Sequence, residues 1–408
     1  MSDKSGDKAN LFAARNLIFS ILGLVGAVSV IGLFVLSLLI NQLADSANSV
    51  LTETYNLVWF LAFFGLMLVP FLIIAIYQIG DKTPPAWLRI PRLQLRQYVI
   101  ALVSWVVILL VSYLFGLGDS FFWLFSPPLK ILAVFIPLAL IILYLADTFK
   151  LRDASRNWGM VSFSVVLTEP ITIFMEIFVV MIFLIAVGVS GDWSQVLGNE
   201  AFVYLSRLTY GMNNPDILSR IFLPFLSQPV ILFIIFALFS VIIPMFEELM
   251  KPLALWFVSK QNLSARDGFY YGAVTGMIFA LIESILGLTS FGMDSWVSVS
   301  IVRLGTGVLH IFTAALMGWA LTSSWRKEKF GKLILTYIIC IVIHGAWNFL
   351  AIATSINELI SAETLAMHDV IQVVFPILLV LMAGGMLIAM WMISKRLMSN
   401  EETSQLTV

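Results

Sequence analysis

Ten runs of apolar residues, at about 17 to 43, 55 to 80, 97 to 117, 129 to 148, 159 to 189, 229 to 258, 268 to 290, 299 to 324, 332 to 356 and 369 to 394, dominate the chain. Each is long enough to cross a bilayer, because ~20 residues at 1.5 Å rise span the hydrocarbon core. Inside lipid every backbone N–H and C=O needs a partner in its own segment or in a closed barrel. The alternating pattern of barrel strands is not visible, so the runs read as helices. Only 12% of the 408 residues are charged, against about 25% in a soluble domain. The expected fold is therefore all-α: a polytopic transmembrane helix bundle of about ten spans. The first run follows a polar start, Met1 to Asn16, and is too long for the apolar core of a cleaved signal peptide, so it reads as a retained span.

Lys and Arg in the connections give the orientation. The N-terminal segment carries Lys4, Lys8 and Arg15, and alternate connections carry Lys82, Arg89, Arg92 and Arg96, then Lys150, Arg152 and Arg156, then Lys260 and Arg266, then Arg326, Lys327, Lys329 and Lys332. The intervening connections are acidic, with only Lys130, Arg207 and Arg220 against the trend. Both termini are thus expected on the cytoplasmic side. The net charge of −1 suggests no nucleic-acid partner. The single cysteine, Cys340, lies in an apolar run and can form no internal disulfide.

No internal repeat, low-complexity tract or soluble domain is visible. Residues 1–190 read as an accessory five-helix membrane region and 191–228 as an exterior loop. Residues 229–356 read as a four-helix core and 357–408 as a final span with a cytoplasmic tail. Within the loop, residues 217–223 can lie along the membrane surface; an ordinary loop with a short helix explains them as well. The division rests on polarity: nearly all intramembrane charges fall in spans six to nine.

The sixth span holds Phe246-Glu247-Glu248-Leu249-Met250-Lys251-Pro252. Each such charge costs roughly 2.5 to 3.5 kcal/mol near a helix centre. Lys251 lies four residues from Glu247 and three from Glu248, so it can reach back along the helix to either. Pro244 and Pro252 bracket the pair, and Pro252 lacks the N–H that would bond the Glu248 carbonyl, so the helix is expected to kink or open beside the acids. The seventh span carries Gly272 and Gly276, spaced for close helix approach, and Glu283 seven residues further on roughly the same face. The eighth places Arg303 and His310 seven apart, and the ninth places His344 and Asn348 four apart. Counted from the basic ends, Glu247, Glu283, His310 and His344 lie at a similar depth, roughly 18 to 26 Å at helical rise.

Carboxylates and imidazoles gathered in low dielectric can pass a proton to and from water, with histidine or asparagine stabilising an oxyanion. The same groups can instead hold a divalent metal that activates the water. Two histidines four apart around a glutamate, the soluble zincin pattern, are absent, so any metal site is assembled from separate helices. A proton-coupled membrane transporter would use similar residues, but carriers often show two related halves, and here the polar groups crowd into one. A non-catalytic scaffold subunit is the third reading.

Glu247-Glu248-x-x-Lys251, Phe279-x-x-x-Glu283, His310 and His344-x-x-x-Asn348, in that order on successive spans, resemble the PrsW family of intramembrane proteases, within the superfamily that includes the CAAX prenyl endopeptidases. The resemblance covers roughly residues 235 to 355. It implies a water-accessible intramembrane site that cleaves a membrane-anchored protein, for example an anti-sigma-factor-like regulator, in a bacterial plasma membrane. By carry-over, Glu247 and Glu248 supply the base or the metal-binding carboxylate, and Glu283, His310 and His344 complete the site. Lys251, Arg303 and Asn348 support it. A divalent metal such as zinc, held by these glutamates and histidines, is compatible with the family, and a glutamate mechanism without metal is the alternative. Glu169-Pro170 and Glu176 on the fifth span are acids outside the motif. The superfamily also contains a scaffold that lacks the paired glutamates, so the pair favours an enzyme.

Overall fold

The structure, a computed structural model, describes residues 3–43, 48–116, 125–190, 229–256, 263–288, 296–327, 330–359 and 368–406. It is 93% helical, with no strand among the described residues. Among the described residues, ten helices are long and apolar enough to span a membrane: Ala14–Leu33, Tyr55–Ile79, Leu95–Leu114, Ser126–Phe149, Ala154–Phe183, Pro229–Trp256, Ala265–Gly287, Trp296–Trp325, Phe330–Asn357 and His368–Ser399. The chain is an integral membrane protein. The expected exterior loop 191–228, with its 217–223 segment, lies outside the described residues.

Contacts divide the chain into two compact units. One comprises residues 1–170, 251–336 and 386–408, the other residues 171–250 and 337–385.

In the first unit the seventh span is the most enclosed, with 89% of its most apolar stretch buried against 11% for the first span. It begins at a capping box: Ser264 Oγ accepts the Asp267 N–H at 3.1 Å, and Asp267 Oδ2 accepts the Ser264 N–H at 2.9 Å. Gly268, Gly272 and Gly276 form a stripe one turn apart, and a Cβ at any of them would overlap the eighth span at Gly318, Ala314 or His310 respectively. Four residues forward on one helix are thus matched by four backward on the other. In lipid, where hydrophobic burial gives no drive for helix association, such backbone contact supplies dispersion attraction instead. We therefore expect Gly272→Ala to cost about 1 to 3 kcal/mol, read as a lower thermal midpoint in detergent. Gly331→Ala, whose Cβ meets open space, is expected to leave the midpoint unchanged; equal effects would discount the stripe.

The fourth span, Ser126–Phe149, packs on both the seventh and the eighth. Pro137 lies inside it and has no N–H to offer the carbonyl of Ala133. Trp105 of the third span supplies the missing donor, its Nε1 lying 2.7 Å from that oxygen. A carbonyl opened by proline is closed by a side chain from a neighbouring helix, as a bilayer interior requires.

Candidate active site

The sixth span is interrupted on both sides of its acids. A helix over Pro229–Ala237 gives way to a π turn at Leu238–Ile242; Ile243–Met250 is helical again, Lys251-Pro252 is a turn, and Leu253–Trp256 resumes. The opening expected beside the glutamates is therefore present, and the prolines explain both breaks. In the π turn the Ile243 N–H reaches five residues back to the Leu238 carbonyl. The next carbonyl in that register, Phe239, meets Pro244, which has no donor. Asn348 Nδ2 of the ninth span fills the gap at 2.9 Å. A Cβ at Gly345 would overlap the Ser240 carbonyl oxygen, so glycine lets the two backbones meet there. One turn nearer the acids, the Tyr337 hydroxyl donates to the Met245 carbonyl at 2.7 Å. The ninth span thus holds the opened sixth span in one register.

That register brings His344 to the paired glutamates within the second unit. His344 Nδ1 lies 2.8 Å from Glu248 Oε1, and its Nε2 lies 3.6 Å from Glu247 Oε2. His344 is 1% exposed, Glu248 0% and Glu247 7%. With Glu248 ionised, and so only accepting, this short contact places the proton on Nδ1 and the lone pair on Nε2, the nitrogen nearer Glu247. At 3.6 Å that second contact is too long for a strong hydrogen bond, leaving room for a shared ligand. The neighbouring glutamates therefore stand differently: Glu248 touches Nδ1 of the imidazole, and Glu247 lies further off beside Nε2.

A second carboxylate–imidazole pair stands in the first unit. The register set by the glycine stripe, carried seven residues past Gly276 and back seven from His310, places Glu283 opposite Arg303. Glu283 uses one oxygen for each partner: Arg303 Nη1 donates to Oε1 at 2.6 Å, and His310 Nε2 lies 2.7 Å from Oε2. By the same reasoning the proton sits on His310 Nε2 and the lone pair on Nδ1. The ring of Phe279 lies against the imidazole, with centroids 4.6 Å apart, and Lys251 Nζ lies 4.8 Å from the Phe279 ring centroid. Lys251 is fully buried. Gly287 is a further member: a Cβ there would stand 2.9 Å from Arg303 Nη2, so glycine makes room for the guanidinium.

Each site residue expected from the sequence therefore has a place. Glu247, Glu248, His344 and Asn348 lie together in one unit, and Glu283, Arg303, His310 and Lys251 in the other. Asn348, expected beside an oxyanion, has its amide on the sixth-span backbone. Glu169 is buried and Glu176 half-buried, and a π turn at Ser164–Thr168 precedes Glu169-Pro170 as another precedes Ile243-Pro244. Tyr337 and Gly287 were not visible as site residues. A tyrosine in an apolar run and a glycine near a helix end carry no signal without the partner helix.

The fold and these two pairs define a membrane-embedded protein whose buried imidazoles are each fixed by a carboxylate, an arrangement of hydrolases and metal centres. Residues 201–383 match the family described as PrsW family intramembrane metalloprotease. Over this stretch the chain is similar to PrsW-family intramembrane proteases, and the match supports a hydrolase. No curated protein and no solved structure matches the chain.

Proposed function

We propose that the protein hydrolyses a peptide bond of a single-pass, membrane-anchored protein, such as a regulator of the anti-sigma-factor type. Glu247, Glu248 and His344 would act on the same substrate as Glu283, Arg303 and His310. The observation that carries this reading is the pair of carboxylate–imidazole contacts, His344 with Glu248 and His310 with Glu283, in which both imidazoles are buried. The match to a protease family across both sets of residues supports it, as does their common depth in the sequence. The Lys and Arg distribution supports cytoplasmic termini, and the family supports a bacterial plasma membrane.

In this reading a divalent metal such as zinc is held by Glu247, His344 and His310, which are buried and each offer one donor atom. The donor set fits: a metal-ligating histidine usually gives its other N–H to a carboxylate, as Glu248 and Glu283 accept here. When bound, such an ion supplies Lewis-acid polarisation and lowers the pKa of water. The chain's own residues do the rest. Glu247 takes the proton of the attacking water on a carboxylate oxygen and returns it to the leaving amine. Glu248 holds the His344 ring in one tautomer. Glu283 does the same for His310, while Arg303 holds the Glu283 carboxylate in place. The break at Lys251-Pro252 gives water and an extended substrate segment a place that an unbroken helix would deny.

The test is metal analysis of the purified protein, alongside chelator sensitivity of its cleavage of a reconstituted single-pass substrate. We expect one metal per chain, lost in His310→Ala and in His344→Ala, with activity lost to chelator and restored by zinc. Cleavage that survives chelation in a metal-free protein would replace the metal reading with a glutamate mechanism. Absence of cleavage by intact protein would overturn the protease reading.

A further inference from the structure

The fourth span lies outside the matched stretch 201–383 and outside the core expected from polarity. Its Lys130 counts, in the sequence, as an exterior-loop cation against the charge pattern. The structure puts it elsewhere. Pro127 and Pro128 occupy the first helical positions of Ser126–Phe149, where proline's missing N–H is no loss. Lys130 is therefore inside the helix, and it is 1% exposed.

Its Nζ donates to the carbonyl of Leu288 at 3.1 Å and lies 6.0 Å from the Trp296 ring centroid. Leu288 caps the C-terminal end of the seventh span, and Trp296 opens the eighth. The last carbonyls of a helix have no donor of their own and carry the negative end of its dipole. In a bilayer water cannot satisfy them, so a buried ammonium there binds the helix end tightly. Glu283 stands five residues before Leu288, and Arg303 seven after Trp296. The same helix touches the pair twice more: a Cβ at Gly307 would overlap Leu138, and the rings of Phe149 and Phe269 lie 6.1 Å apart. One helix thus braces, along its length, the two spans that carry Glu283, Arg303 and His310.

We propose that Lys130 is a positioning residue of the active site: by capping the seventh span and holding the start of the eighth, its ammonium sets the spacing at which Glu283 meets Arg303 and His310. Only the activity consequence rests on the protease reading. The experiment compares full-length Lys130→Met, Lys130→Gln and Lys130→Arg by hydrogen exchange of the peptide covering Glu283–Leu288 and by cleavage kinetics. Loss of the cap is expected to speed exchange of those amides about tenfold in the Met variant. The Gln variant, which keeps an N–H and drops the charge, should fall between Met and wild type, and Arg should stay within about threefold of wild type. Cleavage by the Met variant should lose about tenfold in kcat with KM within about twofold, because substrate binding is untouched while the Glu283 pair is displaced. Unchanged exchange in Lys130→Met overturns the proposal. So does a loss confined to KM, or failure of Arg to rescue. Should the Met variant not insert, the Gln variant is read in its place by the same criteria. If wild-type protein cleaves nothing, the protease reading fails and the exchange measurement still decides the role of Lys130.

Discussion

Glu247→Gln is expected to lower kcat for cleavage of a membrane-anchored substrate by roughly 10²- to 10⁴-fold, the share a positioned general base supplies. At 1.36 kcal/mol per decade that is about 3 to 5 kcal/mol of barrier. Glu248→Gln is expected to behave differently, although it changes the adjacent residue in the same way. Glu248 touches Nδ1 of the imidazole at 2.8 Å, while Glu247 stands beside Nε2, so replacing Glu248 should weaken metal retention about 10- to 100-fold. Excess zinc should then restore much of the activity. Paired titrations of activity against free zinc separate the two: both variants shift along the metal axis, but the Glu248 variant recovers at saturation while the Glu247 variant stays low. Equal, unrescued losses would show that the two acids share one role and would remove the assignment made from the His344 contacts.

The second large effect concerns the other pair. Glu283→Ala leaves Arg303 without its counter-charge and His310 without the acceptor that fixes its tautomer. Breaking a buried ion pair costs about 3 to 5 kcal/mol. Here the Arg303 and Glu283 side chains are 27% and 39% exposed, so solvent screening reduces the expected loss to about 1 to 3 kcal/mol. Arg303→Met placed on top of Glu283→Ala should recover about 1 kcal/mol of it, since the stranded charge is then gone. A double-mutant cycle by thermal unfolding in detergent measures this coupling directly. Simple additivity would mean that the 2.6 Å contact contributes nothing net. Metal retention should fall in Glu283→Ala and stay low in the double variant, because neither restores the acceptor on His310 Nε2.

Much of this was readable from the chain itself. Long apolar runs leave helices as the only way to satisfy backbone groups in lipid, so the number of spans follows from hydropathy alone. Pro244 and Pro252 announce the breaks around Glu247 and Glu248, because proline removes a donor wherever it stands. The spacing of Gly272 and Gly276 announces a close approach, and Glu283 falls on the same face by helical periodicity.

Other features depend on a second helix and have no signature in one. Lys130 reads as a loop cation until the carbonyl it reaches, on Leu288, is known. Asn348 reads as a polar group available to substrate until it meets the carbonyl that Pro244 leaves open. The paired glutamates look equivalent, being adjacent and of one kind, until a contact of 2.8 Å to Glu248 and one of 3.6 Å to Glu247 tell them apart.

Sequence alone therefore determined which segments can cross the membrane and where the sixth span breaks, and it named the candidate residues for chemistry, since spans and breaks follow from local covalent geometry and the absence of water. Tertiary structure alone decided which carboxylate holds which imidazole, because that depends on how two helices are registered. The register comes from the atoms that touch between them: three glycines against one neighbouring span, and Gly345 and Asn348 of the ninth span against the backbone of another.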